Sequence, residues 1–177
     1  MDWYALFVES GKEEEVQKNL KLNFDNTILD SVIPKRKIPE RRSGKVYHVK
    51  RYLFPGYVLV KTNMNSYIYH KIKKIPNFYR LVNRGGYYSK NTGETFTKID
   101  EEEIIPLLKL LSKDDIIDFS KVYIENSKVL VKSGPLKGME GIIRKIDKRK
   151  NRAKILLNFM GREKTIDVGI EVLSNQK

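Results

Sequence analysis

The hydrophobic pattern of the chain changes period at about residue 111, and this change constrains the fold more than any other feature. Before it, two segments repeat apolar residues at helical spacing. After it, short segments alternate apolar and polar residues with the period of two that β-strands require. Ile155, Leu157 and Phe159 give the clearest alternation. Five short strands in fewer than 60 residues, separated by glycines, predict a small closed β-barrel.

The N-terminal part predicts a mixture of strands and helices. Ser10 and Glu13 predict a capping box at the start of a helix. Its core face is predicted to contain Val16, Leu20 and Phe24, which recur every four residues. A second helix is predicted from Asp100 to Leu111, and Pro106 either lies before its start or bends it. The residues expected to face inward are Ile104, Leu107, Leu108 and Leu111. The other predicted elements are strands at 3–8, 28–33, 57–61 and 78–82, a short helix at 66–74, and a turn at Gly85-Gly86.

The chain is strongly basic, and its charge is unevenly distributed. The formal net charge is +13, and residues 121–177 carry 14 Lys and Arg against 6 Asp and Glu, a net charge of +8. The stretch from Lys35 to Arg51 holds 8 Lys and Arg and one acid, Glu40, and predicts a projecting hairpin or loop. Basic chains of this size usually meet nucleic acid, ribosomes or acidic proteins, although a basic surface without a specific ligand is the alternative.

The chain offers few residues from which to build a catalytic or metal site. It has no Cys, and its two His, His48 and His70, lie in polar, basic stretches. A zinc site or a Ser-His-Asp arrangement needs more partners than these, and no phosphate-binding loop of the GxxxxGK[ST] type is found. We therefore predict no enzyme activity, no catalytic or metal-binding residue and no cofactor. The lack of a long apolar run and of a signal peptide predicts a cytoplasmic protein without a membrane span.

Two groups of side chains are candidates for binding. Phe54-Pro55-Gly56-Tyr57 places a turn between two aromatics just before a strand. Such a turn can expose the rings as an apolar interface, and burial in a core is the alternative. The connection from Arg144 to Lys154 is the second group, with one acid, Asp147, among its cations. It can contact phosphates, and a solvated hairpin is the alternative.

Three segments resemble a known family. Trp3-Tyr4, followed by a helix and by the segment from Phe54 to Val60, resembles the N-terminal (NGN) domain of the NusG/Spt5 family of transcription factors. The segment from Val129 to Gly141 resembles the KOW motif, and Met160-Gly161-Arg162 resembles the segment that closes the KOW barrel. The resemblance runs the full length of the chain in the right order.

The resemblance implies a domain organisation and a partner. An α+β NGN domain, an antiparallel sheet flanked by helices, is expected at 1–111, a linker at 112–123, and a small all-β KOW barrel at 124–177. In this family an apolar cavity on the NGN domain grips the clamp helices of RNA polymerase, and the KOW domain recruits termination factor Rho, a ribosomal protein or RNA. The positions that match the polymerase contacts are Phe7, Phe54, Pro55, Tyr57 and Phe78.

Three departures from the housekeeping pattern indicate a specialised paralogue. The stretch from Lys35 to Arg51 is shorter and more basic, the connection from Arg144 to Lys154 is richer in cations, and Met160 stands where a Phe docks Rho and the ribosome. The chain is most similar to the LoaP antiterminators, whose KOW domain binds a hairpin in nascent leader RNA. The expected RNA-binding residues are Lys132, Lys137, Arg144, Lys145, Lys148, Arg149, Lys150, Arg152, Arg162 and Lys164.

Two other functions remain open on the sequence alone. The first is a housekeeping elongation factor that couples polymerase to Rho and the ribosome, which Met160 disfavours. The second is a ribosome-associated RNA-binding protein with a KOW barrel, which leaves the N-terminal aromatics unexplained. In each case we expect a monomer.

Overall fold

The structure, a computed structural model, describes residues 1–83 and 96–174. The elements in these ranges are, in chain order, β1 Asp2–Val8, α1 Glu13–Asn23, β2 Leu29–Val32, β3 Lys35–Arg42, β4 Lys45–Tyr52, β5 Tyr57–Thr62, α2 Ser66–Ile72, β6 Phe78–Leu81, α3 Glu101–Leu110, β7 Ile116–Ile117, β8 Ser120–Glu125, β9 Lys128–Ser133, a 3₁₀ helix Glu140–Ile142, β10 Ile143–Asp147, β11 Arg152–Phe159 and β12 Arg162–Val172. None of the helices in these ranges combines the length and apolar character needed to cross a membrane. The turn predicted at Gly85-Gly86 lies outside the described residues.

The described residues divide into two compact units. Unit 1 contains residues 1–33, 54–83, 96–104 and 159–161, and unit 2 contains residues 34–53, 105–158 and 162–174. The units are interleaved along the chain, whereas the sequence predicts consecutive domains. The segment predicted as a linker, 112–123, contains β7 and most of β8.

Unit 1 is built on a four-stranded sheet in the order β2-β5-β1-β6. Each of these strands runs antiparallel to its neighbours. The apolar run of β5 forms the centre of the core, and Val58, Leu59 and Val60 are fully buried. Helix α1 packs beside β2 and β5, and its residues Val16 and Leu20, four positions apart, are fully buried as their spacing predicts. The predicted strands and helices of this part are confirmed.

Helix α3 shows that the second predicted helix begins before Pro106. It starts at Glu101 and contains Pro106, so the proline lies inside the helix and not before its start. Its most buried apolar residues are Ile104, Leu107 and Leu110. The prediction that Leu108 and Leu111 also face inward is wrong, because both are only half-buried. The buried residues of this helix are three positions apart, at 104, 107 and 110. Leu108, four positions after Ile104, therefore lies away from the buried side.

Unit 2 contains a five-stranded sheet in the order β10-β11-β12-β8-β9, which forms a β half-barrel. Strand β8 runs parallel to β12 and antiparallel to β9. Ile155 and Leu157 of β11 point into the core, as their alternation predicts. The predicted fold class, an α+β N-terminal domain followed by a small all-β domain, is confirmed.

The segment that resembles a KOW motif forms most of β9 and the connection that follows it. Gly134 has a φ of +98°, and a Cβ on it would lie 2.6 Å from the Phe119 carbonyl oxygen and 2.6 Å from the Ser120 Cα. The Leu136 N–H donates to the Ser120 Oγ at 3.0 Å, and the Leu136 side chain is fully buried. The connection therefore passes so close to β8 that only glycine fits at residue 134.

The basic stretch after Pro34 forms a hairpin, one of the two alternatives predicted. Strands β3 and β4 pair from Lys35 with Tyr52 to Arg42 with Lys45. Their connection is the two-residue turn Ser43-Gly44, in which both φ angles are positive, as a tight hairpin with right-handed strand twist requires. Strand β7 adds to β3 in parallel, so this part of unit 2 is a three-stranded sheet in the order β4-β3-β7.

Candidate functional site

The first candidate site is a group of aromatic rings on unit 1. The Phe7 ring lies 5.5 Å from the Tyr57 ring and 5.6 Å from the Tyr79 ring, measured between centroids. The Arg80 guanidinium lies 5.3 Å from the Phe7 centroid, which is a cation–π distance. Strand β1 lies between β5 and β6, and this order brings the rings together. We call Phe7, Pro55, Tyr57, Tyr79 and Arg80 the aromatic surface.

A β-bulge places Tyr79 on this surface. Phe7 pairs with Arg80 and Val8 pairs with Phe78, so Tyr79 is the extra residue on β6. A bulge sets two residues opposite one and turns a side chain away from simple alternation. Tyr79 is 58% exposed and contacts Phe7. Sequence reasoning selected Phe78 and missed Tyr79 and Arg80, because a bulge leaves no mark in a hydrophobic pattern.

The turn before β5 is held by a buried carboxylate. The Glu13 Oε1 accepts a hydrogen bond from the Gly56 N–H at 2.7 Å, and its Oε2 accepts one from the Gly11 N–H at 2.7 Å. Glu13 is fully buried. The predicted capping box is therefore wrong, because Lys12 is the N-cap residue of α1 and no side chain caps the helix. The carboxylate binds neighbouring backbone and fixes the Phe54-Pro55-Gly56 turn beside Phe7.

Phe54 has a different environment from the other predicted contact residues. It is 6% exposed, and its ring stacks on the Phe159 ring with centroids 4.1 Å apart and planes 7° apart. The Tyr57 ring meets the same Phe159 ring edge-on at 5.4 Å. Residues 159–161 belong to unit 1, so the stacking of Phe54 on Phe159 lies within that unit. Of the five predicted positions, Phe7 and Tyr57 are half-buried and in contact, Pro55 is exposed, Phe78 is half-buried and Phe54 is buried.

The second candidate site is a groove of about 490 Å³ on unit 2. Its lining comes from β8, the β8–β9 turn, β9, β10 and the start of the β10–β11 connection. We call it the cationic groove, because it combines aliphatic and neutral polar side chains with three cations and no acid. The lining residues are Ile124, Asn126, Ser127, Val129, Ile143, Arg144, Lys145, Ile146 and Lys148.

The ten predicted RNA-binding residues do not lie in one place. Arg144, Lys145 and Lys148 line the cationic groove, and Arg149 and Lys150 follow, exposed, in the connection after β10. Four others are exposed without lining the groove: Lys132, Lys137, Arg162 and Lys164. Among these, the Lys132 ammonium lies 5.8 Å from the Tyr123 ring centroid.

Arg152 is engaged inside unit 2. Its Nη2 and Nε donate to the Pro39 carbonyl oxygen at 2.6 and 3.2 Å, and its Nη1 lies 3.8 Å from an Asp167 carboxylate oxygen. Arg36 also donates to the Asp167 carbonyl oxygen. Burial, the dominant cause, lowers the pKa of Arg36, and the neighbouring Asp167 opposes that shift. These two arginines hold the hairpin against β12 and are poor candidates for contact with a ligand.

The hairpin cations are partly neutralised by carboxylates. Arg51 makes two hydrogen bonds to Glu40, at 2.9 and 2.8 Å, and Arg42 adds a third at 3.0 Å. The hydrogen bond from Arg42, followed by that from Arg51, lowers the pKa of Glu40. Lys37 pairs with Asp118 at 3.2 Å. In the described part of the chain, no three His, Asp or Glu side chains lie together in a way that could hold a metal ion.

Comparison with known proteins identifies the family to which the chain belongs. Residues 1–108 match the family described as "Transcription termination factor nusG", and residues 125–155 match the KOW motif. The chain belongs to the NusG family. Members of this family are non-enzymatic transcription factors, so the predicted absence of enzyme activity is confirmed. The chain is accordingly a NusG-type transcription termination/antitermination factor.

Curated relatives cover nearly the whole chain. The transcription termination/antitermination protein NusG of Staphylococcus carnosus is 30% identical over 173 residues, which span 94% of this chain and 91% of the relative. The protein of the same name from Bacillus subtilis is 28% identical over 172 residues, 94% of each chain. A solved structure described as "Domain interaction in Thermotoga maritima NusG" matches with a TM-score of 0.56 and 25% identity, and covers 95% of this chain and 93% of that chain.

Proposed function

We propose that this NusG-family protein is a LoaP-like processive antitermination factor. In this proposal the aromatic surface of unit 1 binds the clamp helices of RNA polymerase, and the cationic side of unit 2 binds a hairpin in nascent RNA. The RNA loads the factor onto chosen operons, and the polymerase contact keeps it there during elongation. The observation that carries the proposal is the cationic groove, where three cations and no acid line one concave surface.

The charge distribution supports the RNA half of the proposal. Residues 121–177 have a net charge of +8. Arg144, Lys145 and Lys148 at the groove continue into exposed Arg149 and Lys150. Such a row can follow successive phosphates, and phosphate contacts provide most of the affinity of a protein for nucleic acid. We leave Arg152 out of the proposed contact surface because its guanidinium already binds Pro39 and Asp167.

The aromatic surface supports the polymerase half. Membership of the NusG family implies RNA polymerase as a partner. Phe7, Tyr57 and Tyr79 form a contiguous group of rings with Arg80 at its side. Aromatic and arginine side chains are the commonest anchors of protein interfaces. Glu13 holds the adjacent Gly56 turn, so the group is ordered before a partner binds. Phe54 is buried on Phe159, so we place Tyr79 among the contact residues and treat Phe54 as a support.

RNA binding is tested by titrating the full chain against a fluorescein-labelled RNA stem-loop across a salt series. We expect the logarithm of the binding constant to fall with the logarithm of salt by about 0.7 to 0.9 per phosphate contact. The double substitution Lys145→Glu and Lys148→Glu should weaken binding and reduce that slope by about 1.4 to 1.8, which corresponds to two lost contacts. No binding at low salt, or a flat salt response, contradicts the RNA half.

A matched control separates groove contacts from general charge. Lys18 on α1 and Lys109 on α3 are exposed lysines outside the groove. The double substitution Lys18→Glu and Lys109→Glu changes the net charge by the same amount as the groove variant. If RNA binding uses the groove, the control keeps most of the salt slope. Equal loss in the two variants indicates nonspecific attraction and rejects the site.

One observation favours a second function, that of a housekeeping factor coupled to Rho and the ribosome. Staphylococcal and Bacillus proteins named transcription termination/antitermination protein NusG align with 94% of this chain. Met160, which stands where the housekeeping proteins carry a docking Phe, disfavours this function. Retention of Rho and ribosomal proteins by the immobilised full chain, with no preference among RNA stem-loops, would favour it.

The predicted domain boundaries, cytoplasmic location and monomeric state also stay predictions.

A further inference from the structure

The cationic groove lies between the two outer strands of the five-stranded sheet. β9 and β10 stand at opposite ends of the strand order β10-β11-β12-β8-β9, and residues of both line the groove. Four aliphatic residues of the lining, Ile124, Val129, Ile143 and Ile146, are only half-buried. The half-barrel therefore leaves part of its apolar lining uncovered along this seam. A volume of about 490 Å³ suits a small, partly apolar group.

The turn at one end of the groove carries polar side chains on a backbone that favours glycine. Asn126 and Ser127 connect β8 to β9, with φ angles of +45° and +66°. Two-residue hairpin turns with two positive φ angles favour Asn-Gly or Gly-Gly, and a serine at the second position is strained. Both residues line the groove. The amide donates and accepts hydrogen bonds, and so does the hydroxyl, which suits the edge of a nucleobase.

The charges around the groove favour a polyanion. Its cations are Arg144, Lys145 and Lys148, and none of its nine lining residues is acidic. The nearby Asp147 carboxylate accepts a hydrogen bond from the Lys150 N–H at 3.0 Å and so belongs to the β10–β11 turn. Because exposed Arg149 and Lys150 extend the positive charge beyond the groove, the charge matches a chain of phosphates better than a single acidic side chain.

The concave shape of the groove favours a nucleic acid with an unpaired base over a continuous duplex. In a fully paired A-form helix, the base edges lie in a deep, narrow major groove or along a shallow minor groove, so no base can enter a protein cavity. An unpaired nucleotide can turn outward and place its base in one. The apolar lining then contacts the face of the base, the turn residues contact its edge, and the cations contact the phosphates on either side.

We propose that the cationic groove receives one unpaired nucleotide of the RNA, so that the ligand is a bulged or looped RNA and not a continuous duplex. This inference rests on the proposed RNA-binding function and names the class of RNA that the same site takes. The roles assigned are base contact for Ile143 and Ile146, base-edge hydrogen bonding for Asn126 and Ser127, and phosphate contact for Lys145 and Lys148.

The test compares two RNA duplexes of equal length with the full chain as the protein. One duplex is fully paired, and the other carries a single unpaired 2-aminopurine. We expect the bulged duplex to bind about tenfold more tightly, which corresponds to about 1.4 kcal/mol. The 2-aminopurine fluorescence should also change on binding, because its base leaves the helix for the groove.

A charge-neutral variant isolates the groove from the phosphate contacts. The double substitution Asn126→Gly and Ser127→Gly removes both polar side chains and suits the positive φ angles, so the turn should persist. We expect it to lose the preference for the bulge, so that it binds the bulged and the paired duplex with equal affinity. Thermal unfolding of the variant verifies that the fold is kept.

The outcomes separate the inference from the function on which it rests. If the chain binds both duplexes equally, or the glycine variant keeps the preference, the inference is overturned while RNA binding stands. If neither duplex binds, the proposed function fails and the inference fails with it. If a Glu-Leu repeat peptide displaces both RNAs from the original chain but not from the glycine variant, the groove is a peptide site and the inference is overturned.

Discussion

The buried carboxylate of Glu13 accepts a hydrogen bond from the Gly56 N–H at 2.7 Å, although 43 residues separate them along the chain. Through the Gly11 N–H the same carboxylate also binds the loop before α1. Gly56 in turn accepts a hydrogen bond from the Val8 N–H at 2.9 Å. One side chain thus connects the start of α1 to the turn beside Phe7, and three predictions follow from this and related contacts.

The first prediction concerns Glu13 itself. Replacing Glu13 with Ala leaves two backbone N–H groups without their acceptor, which should lower the free energy of unfolding by about 3 kcal/mol. Glu13→Gln keeps one acceptor oxygen and should lose about half as much. Denaturant unfolding of both variants measures the difference, with the exposed Glu9→Ala as the control. A loss for Glu13→Ala no larger than that for Glu9→Ala contradicts the role.

The second prediction concerns Tyr79 on the aromatic surface. Tyr79→Ala removes a ring that contacts Phe7 and should weaken binding to purified RNA polymerase by about 1–3 kcal/mol. Tyr67→Ala on α2 is a matched control, because Tyr67 is 67% exposed and Tyr79 is 58% exposed. We expect the control to bind polymerase normally. Equal affinity of the two variants, measured by fluorescence titration, removes Tyr79 from the interface.

The third prediction concerns two glycines of the KOW motif. Gly134 and Gly138 both have positive φ angles, so an alanine is strained at either position. A Cβ at 134 would also lie 2.6 Å from the Phe119 carbonyl oxygen and 2.6 Å from the Ser120 Cα, whereas a Cβ at 138 would have no heavy atom within 4 Å. Gly138→Ala should therefore cost about 1 kcal/mol, and Gly134→Ala about 2 kcal/mol more because of the clash. Denaturant unfolding compares them, and equal costs would show that the steric term is absent.

The local pattern predicted most of the elements. Alternation in 155–159 and the apolar run of β5 identified strands, because the side-chain period of a strand appears directly in the sequence. Ser43-Gly44 identified its turn because two positive φ angles need a residue such as glycine. The four-residue spacing of Val16 and Leu20 identified the buried face of α1, because residues four apart lie on the same side of a helix.

Contacts between distant residues were not predictable in this way. Glu13 looked like half of a capping box because the pattern Ser10-x-x-Glu13 is local, whereas its partner Gly56 comes from another element. Arg149 and Arg152 are alike in sequence, yet one is exposed and the other binds Pro39 and Asp167. Which cation reaches solvent depends on how the hairpin packs on β12, and no local pattern records that.

The sequence by itself therefore determined the family, the order of strands and helices, the glycine turns and the basic character of the last third. These properties depend on residue type and spacing, which the chain carries without folding. The tertiary structure decided which side chains are available to bind a partner. A bulge turns Tyr79 onto the aromatic surface, Phe54 is buried on Phe159, and Arg144, Lys145 and Lys148 come together at the groove between the outer strands. Each depends on strand pairing and packing between residues far apart in sequence, so it exists only in the folded chain.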